Sequence, residues 1–214
     1  MLARETVENA AIGVGMADKP EDLLAIHQPG CAAAIRKRQL LPDFQFWMNQ
    51  LDPTQLPQGR VILHRNAILE TINQLCEIAQ TPDDPERDLL IDDINGLAQL
   101  FADLMATQYL RLRLDVVKTN ACQKFHIDAI TARLVCTYRG TGTQYGISTD
   151  GSEPQRVFSV PTGAPILLRG TLWPEGPKSG LMHRSPPIED TGETRLVLVL
   201  DPVNDHENRP AILH

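Results

Sequence analysis

Several things are missing from this 214-residue chain, and each absence narrows what it does. No apolar run approaches the ~18–20 residues that a membrane-spanning helix needs, so no membrane span is expected. No strongly basic run offsets the formal charge of −7, and the short "RKR" at 36–38 reads as a solvated stretch. Generic binding to a nucleic-acid backbone, which needs clustered cations, is therefore not expected. There are only four cysteines, Cys31, Cys76, Cys122 and Cys136, and none forms a C-x-x-C pair. They read as reduced thiols rather than as a disulfide framework. The opening "MLARETVENAAIGVGMADKPEDLL" carries acids early and lacks the charged-then-apolar order of a secretory signal. No internal repeat is evident. The glycines of "RGTGTQYG" at 139–146 precede neither a helix nor a Gly-Lys-Ser/Thr, so they mark a turn and not a phosphate loop. The expectation is an acidic, cytoplasmic protein.

What is present is an ordinary globular composition, 42% hydrophobic and 22% charged, in a chain long enough for a substantial core. Residues 1–20 are expected to be loosely ordered. "KPEDLLAIHQ" makes a short helix between Pro20 and Pro29-Gly30, while "GCAAAIRKRQ" fits a helix or a strand. "PDFQFWMNQL" places Phe44, Trp47 and Leu51 on one helical face, and "RNAILETINQLCEIAQ" repeats the pattern through Ile68, Ile72, Leu75 and Ile78. After the break "TPDDPERD", the stretch "DLLIDDINGLAQLFADLMATQYL" is the strongest helix, with acids in its first turn. Residues 21–108 are thus expected to be mainly helical.

The texture then changes. "YLRLRLDVV" alternates with the two-residue period of a strand, and "RLVCTYRG", "VFSVPTG", "APILLRG" and "TRLVLVLD" follow as short β-rich runs between glycine and proline turns. The expected architecture is α+β: a helical N-terminal half packed on a jelly-roll-like β domain over 109–214.

Within "QKFHIDAITARLVCTY", His126 and Asp128 stand two residues apart, the spacing that puts both side chains on one face of a strand. His183, in "GLMHRSPP", follows Asp128 by 55 residues, room for four or five short strands to go round a small barrel and return. Two histidines and a carboxylate that leave one side of a metal open form the facial triad of non-haem Fe(II) sites. Arg195 opens the final apolar strand, on the alternating set that includes Val197 and Val199; Leu196, Leu198 and Leu200 form the other set. The sequence leaves open which set lines a cavity. His27, His64, His206 and His214 are assigned no role.

The order H-x-D, a β-rich interval, His, then Arg at the start of a strand resembles the Fe(II)/2-oxoglutarate-dependent dioxygenase superfamily. The resemblance implies a double-stranded β-helix, cupin-like in form. It implies that His126, Asp128 and His183 hold Fe(II), and that Arg195 pairs with the distal carboxylate of 2-oxoglutarate. A buried dianion calls for such a charge-assisted partner. Arg133 and Tyr138 are further candidates for contacts to the co-substrate, and Arg184 is a rival to Arg195. The stretches "FHIDAITARLVCTYRGTGTQY", "LLRGTLWPEGPKSGLMHRSPP" and "GETRLVLVLD" resemble more closely an uncharacterised bacterial family, domain of unknown function 1826, which supplies no reaction. Under the superfamily resemblance the partners are a small-molecule co-substrate, dioxygen and an unknown primary substrate.

Blander readings compete. His126 with Asp128 also fits a hydrogen-bonded pair at a strand end. Cys122 and Cys136 with the two histidines fit a zinc site of mixed sulfur and nitrogen ligands, or two buried thiols. Trp173 fits a packing residue or a lid. Two alternatives to an oxygenase follow: a non-catalytic zinc or other divalent-metal binding β-barrel protein, and an interaction module with a degenerate site. The first needs the three ligands without Arg195, and the second needs neither.

Overall fold

The computed structural model describes residues 9–203, so the first eight residues, and with them His206 and His214, lie outside the described residues. Two parallel strands come first, β1 (Gly13–Ala17) and β2 (Cys31–Arg36), joined by a 3₁₀ segment over Pro20–His27. Helix α1 (Pro42–Gln50), strand β3 (Gly59–His64), and helices α2 (Ile68–Ile78) and α3 (Pro85–Leu104) complete the N-terminal half. The three longer expected helices are present, and the short helix expected in "KPEDLLAIHQ" takes the 3₁₀ form. The difference from a mainly helical region over 21–108 lies in β2 and β3. Alanine's helical preference in "CAAAIR" yields to tertiary context: β2 is buried almost throughout, wedged between β1 and a later strand. Residues 9–20, expected to be loose, contain β1, because pairing with β2 supplies the backbone partners that a free terminus lacks.

Strands β4 (Tyr109–Val117), β5 (Ala132–Arg139), β6 (Gln144–Ile147), β7 (Phe158–Ser159), β8 (Pro165–Arg169), β9 (Leu181–Arg184) and β10 (Arg195–Val203) follow. A seven-stranded sheet runs in the order β1-β2-β8-β5-β10-β4-β3, and a three-stranded sheet in the order β7-β6-β9. The small sheet faces one side of the large one, the two-sheet arrangement of a jelly roll.

Period-two alternation divides the large sheet into two unlike surfaces. Leu110, Leu112 and Leu114 of β4, Leu134 and Cys136 of β5, and Leu196, Leu198 and Leu200 of β10 all join one buried cluster. Helix residues spaced by one turn cover it: Phe44 and Met48 of α1, Ile68 and Ile72 of α2, and Leu90, Ile94, Leu97 and Phe101 of α3. The opposite surface carries Val135, Val197, Val199 and Ile166, packed with Leu181 of the small sheet. It also carries most of the arginines that matter below.

Candidate metal centre

His126 and Asp128 precede β5 and do not sit on a regular strand. His126 forms a single antiparallel bridge to His183 of β9, with its N–H donating to the His183 carbonyl at 3.1 Å and the reverse bond at 3.0 Å. Residues directly opposite in such a bridge point to the same face, so the two imidazoles lie side by side, ring centres 4.6 Å apart. Asp128 is placed by the turn after β8. Its carbonyl accepts from Thr171 at 2.9 Å, and the Ile130 carbonyl accepts from Leu172 at 3.0 Å. Gly170 is needed there, because a Cβ would run into the Ile130 carbonyl oxygen.

The donor atoms of His126, Asp128 and His183 all lie within 4.8 Å of one another. Asp128 Oδ2 is 3.1 Å from His183 Nε2, and Oδ1 is 3.6 Å from His126 Nε2. Ligands ~2.0–2.2 Å from one transition metal and at right angles stand about 3 Å apart, so the spacing suits a shared ion. His126 Nδ1 donates to the Lys124 carbonyl at 2.8 Å, which fixes the tautomer and leaves Nε2 bare for a metal. Asp128 Oδ2 is buried without a hydrogen bond, an orphan that a cation would satisfy. The residues fit a divalent metal.

Electrostatics point the same way. Burial alone would raise the Asp128 carboxyl, but His126, His183 and Arg133 outweigh it and hold the group well below the usual carboxylate range. Burial pushes His183 down, partly offset by Asp128, so the ring is neutral and available at neutral pH. Asp128 holds the more exposed His126 up.

Arg195, Val197 and Val199 line the cavity of about 150 Å³ that contains His126 and His183, which answers the question of faces that the sequence left open. Arg195 is only 1% exposed. Its Nε donates to the Thr141 carbonyl at 2.7 Å, and Nη2 reaches Thr137 Oγ1 at 3.4 Å. Among the described residues no carboxylate lies within ion-pair distance of it, and burial lowers it to about 10, offset in part by Glu193. Glu193 is itself engaged by the Thr141 N–H and hydroxyl.

Other candidates lie elsewhere or are engaged. Arg133 lines the cavity, but its guanidinium is spent on Asp128 (2.6 Å) and, through two bonds of 2.7 and 2.8 Å, on Asp201. It orients a ligand rather than reaching for a co-substrate. Tyr138 sits on the helix-facing side of β5 and donates to Asp93 Oδ2 at 2.6 Å, so the sheet separates it from the cavity. It shares that side with Cys136, which therefore cannot join a mixed-ligand site with the histidines. Cys122 lines the cavity and is exposed. Arg184 donates to Gln144 at 2.8 Å and stacks over Phe125. Trp173 packs against Arg169 and His27. Sequence reasoning passed over Asp201, which is 2% exposed. Its signal was a carboxylate six residues after Arg195, on the same face of an otherwise apolar strand.

The seven- and three-stranded sheets form the two-sheet arrangement of a jelly roll. The chain belongs to the family described as protein of unknown function (DUF1826), whose family model matches residues 17–201. No curated protein matches it by sequence. By fold it is similar to the dioxygenase for auxin oxidation 1 from Arabidopsis thaliana, solved as a 2-oxoglutarate complex: TM-score 0.53, 10% identity, 93% of this chain and 95% of that one covered. It is likewise similar to the dioxygenase for auxin oxidation of rice, with TM-score 0.52, 11% identity and coverage of 94% and 86%. Among the described residues no helix is long and apolar enough to cross a membrane.

Proposed function

We propose that this protein is a non-haem Fe(II)- and 2-oxoglutarate-dependent oxygenase of the hydroxylating kind. His126, Asp128 and His183 hold the metal, and Arg195 anchors the co-substrate. The observation that carries the reading is Arg195: a desolvated guanidinium with no carboxylate partner among the described residues, in the cavity that the two histidines enter. A buried charge left unpaired is costly, and a metal-storage site has no use for one. A bound dianion would relieve that cost at Arg195. The fold shared with a protein solved as a 2-oxoglutarate complex supports the same choice.

Fe(II) with 2-oxoglutarate and dioxygen supplies oxidative decarboxylation and oxygen transfer; the chain's own residues bind, orient and exclude water. Arg133 holds the Asp128 carboxylate through one oxygen and leaves the other for the metal. Val135, Val197 and Val199 supply the apolar part of the cavity wall.

Anaerobic titration of Fe(II) and 2-oxoglutarate, followed by their charge-transfer absorption, tests the assignment. Arg195→Ala should keep the metal and weaken 2-oxoglutarate by roughly thirty- to several-thousand-fold, the equivalent of ~2–5 kcal/mol. Unchanged affinity in that variant removes Arg195 from the role. A wild type that binds metal but never 2-oxoglutarate makes the protein a divalent-metal binder.

A further inference from the structure

Arginine crowds one cavity. Arg60, Arg113, Arg133, Arg184 and Arg195 line it, against a single lining carboxylate, Asp115. Asp128 and Asp201 stand beside them. With Glu193 near Arg195, five guanidinium charges meet four carboxylates, while a divalent metal and a dianionic co-substrate cancel each other. One positive charge is left over.

The excess is localised. Arg133 is spent on Asp128 and Asp201, Arg184 is bound to Gln144, and Arg195 serves the co-substrate under the proposed function. Arg113 of β4 remains. Its Nε is buried without a hydrogen-bond partner. Its Nη2 approaches Asp201 no closer than 3.9 Å, and that carboxylate is already held through both oxygens by Arg133. Burial and the neighbouring Arg133 both push Arg113 down, offset in part by Asp201 and Asp115. Arg60 pairs with Arg113 across β3 and β4 and is mostly exposed at the rim, bonded to Asp115 at 3.0 Å.

Arg113 and Arg195 are distinct anchors. Arg195 pairs with Val117, four residues along β4 from Arg113, a backbone separation of about 13 Å. The two side chains therefore enter the cavity from different strands and different positions along the sheet.

We propose that the primary substrate is a small molecule bearing a carboxylate or similar oxyanion, which docks on Arg113 with help from Arg60 while its remainder extends toward the metal. This deepens the oxygenase reading and rests on it for the word substrate; the anion site itself does not.

Calorimetric titration of butyrate and of uncharged butyramide into the full-length protein carrying Mn(II), with and without 2-oxoglutarate, tests it. Wild type should bind butyrate and not butyramide. Arg113→Gln should weaken butyrate by about tenfold or more, and Arg60→Gln by less, since an exposed charge is worth less than a desolvated one. Arg113→Lys, which keeps the charge but loses the planar fork, should fall between wild type and Arg113→Gln. 2-Oxoglutarate affinity should stay within about twofold in all three, because the anchors are separate. Equal binding of the two probes, or of neither at millimolar concentration, overturns the proposal. So does butyrate affinity that survives Arg113→Gln and falls with Arg195→Gln, or 2-oxoglutarate affinity that falls with Arg113→Gln. Should Arg113→Gln fail to fold, Arg113→Lys decides: weakened butyrate supports the site, and unchanged affinity overturns it. A wild type that never binds 2-oxoglutarate defeats the oxygenase reading alone, because the Mn(II) titration without it still judges Arg113.

Discussion

The two surfaces of β5 and β10 are built from alternate residues of the same strands, yet they are chemically opposite. On one side Leu134, Cys136, Leu196, Leu198 and Leu200 lie under three helices in a continuous apolar cluster. On the other, Arg133, Arg195 and Asp201 share space with Val135, Val197 and Val199, and the small sheet closes over them with His183. The leucine side gains from every methylene it removes from water. The arginine side bears the expense of desolvating charges, and is tolerable because Asp201 and Asp128 hold Arg133 and because the leucine side anchors the same backbone. Stability and chemistry are separated by a single residue step.

Breaking the comparison at its sharpest point means removing a metal ligand. His183→Ala should abolish most divalent-metal binding while the protein stays folded, since the leucine side is untouched; metal content by atomic emission, with circular dichroism alongside, checks it. Cys136→Ala, on the far side of the sheet, should keep its metal. Full metal content in His183→Ala would falsify the assignment of the triad.

The reverse cut is Leu198→Ala. A fully buried leucine truncated to alanine costs ~2–5 kcal/mol. Urea unfolding should show that loss, whereas metal affinity of the still-folded protein should be close to wild type. A large metal defect without a stability defect would contradict the division between the two surfaces.

Asp201→Asn tests whether the arginine side is a network. It removes the charge that holds Arg133, and Arg133 in turn orients Asp128. Metal affinity should fall by about 10–100-fold, the usual effect of losing a residue that orients a ligand. A competition titration against a chelator of known affinity measures it.

The mildest perturbation is acid. His183 is pushed down by burial and stays neutral, so His126, held up by Asp128, is the first of the two to take a proton as pH falls. A metal must displace that proton, so affinity should decline on acidification, beginning above the ordinary histidine range, by no more than about tenfold per pH unit for one proton. Metal affinity that is flat from about pH 8 to about pH 6 would argue against ligation through His126.

Much of this was legible in the chain. Period-two alternation marked β4, short β-rich runs between glycine and proline turns marked β5, β8 and β10, three-to-four spacing marked α1 and α2, and a long apolar stretch with acids in its first turn marked α3. His126, Asp128 and His183 were read as a set from their residue types and order, and their donor atoms lie within 4.8 Å of one another. The reason given for the first two was incomplete: His126 lies in an isolated bridge, and Asp128 is placed by the turn at Gly170, not by a shared strand face. Strand β2 was ambiguous because "CAAAIR" has no polar alternation to reveal it; a strand buried on both faces shows none. The N-terminal half carried β1 and β3 for a related reason, since edge strands owe their form to the neighbour they pair with.

Sequence by itself determined which residues alternate, where the chain must turn, and that one arginine opens the last strand. Only the tertiary structure decided which alternating set faces the cavity. It turned Tyr138 toward Asp93 and away from the site, and gave Arg133 to Asp128 and Asp201. It also left Arg195 without a carboxylate within ion-pair distance among the described residues, and Arg113 with only a 3.9 Å approach to Asp201. The physical reason is that alternation is symmetric: a strand read alone has two equivalent faces. The difference between them exists only once helices cover one and a second sheet closes over the other.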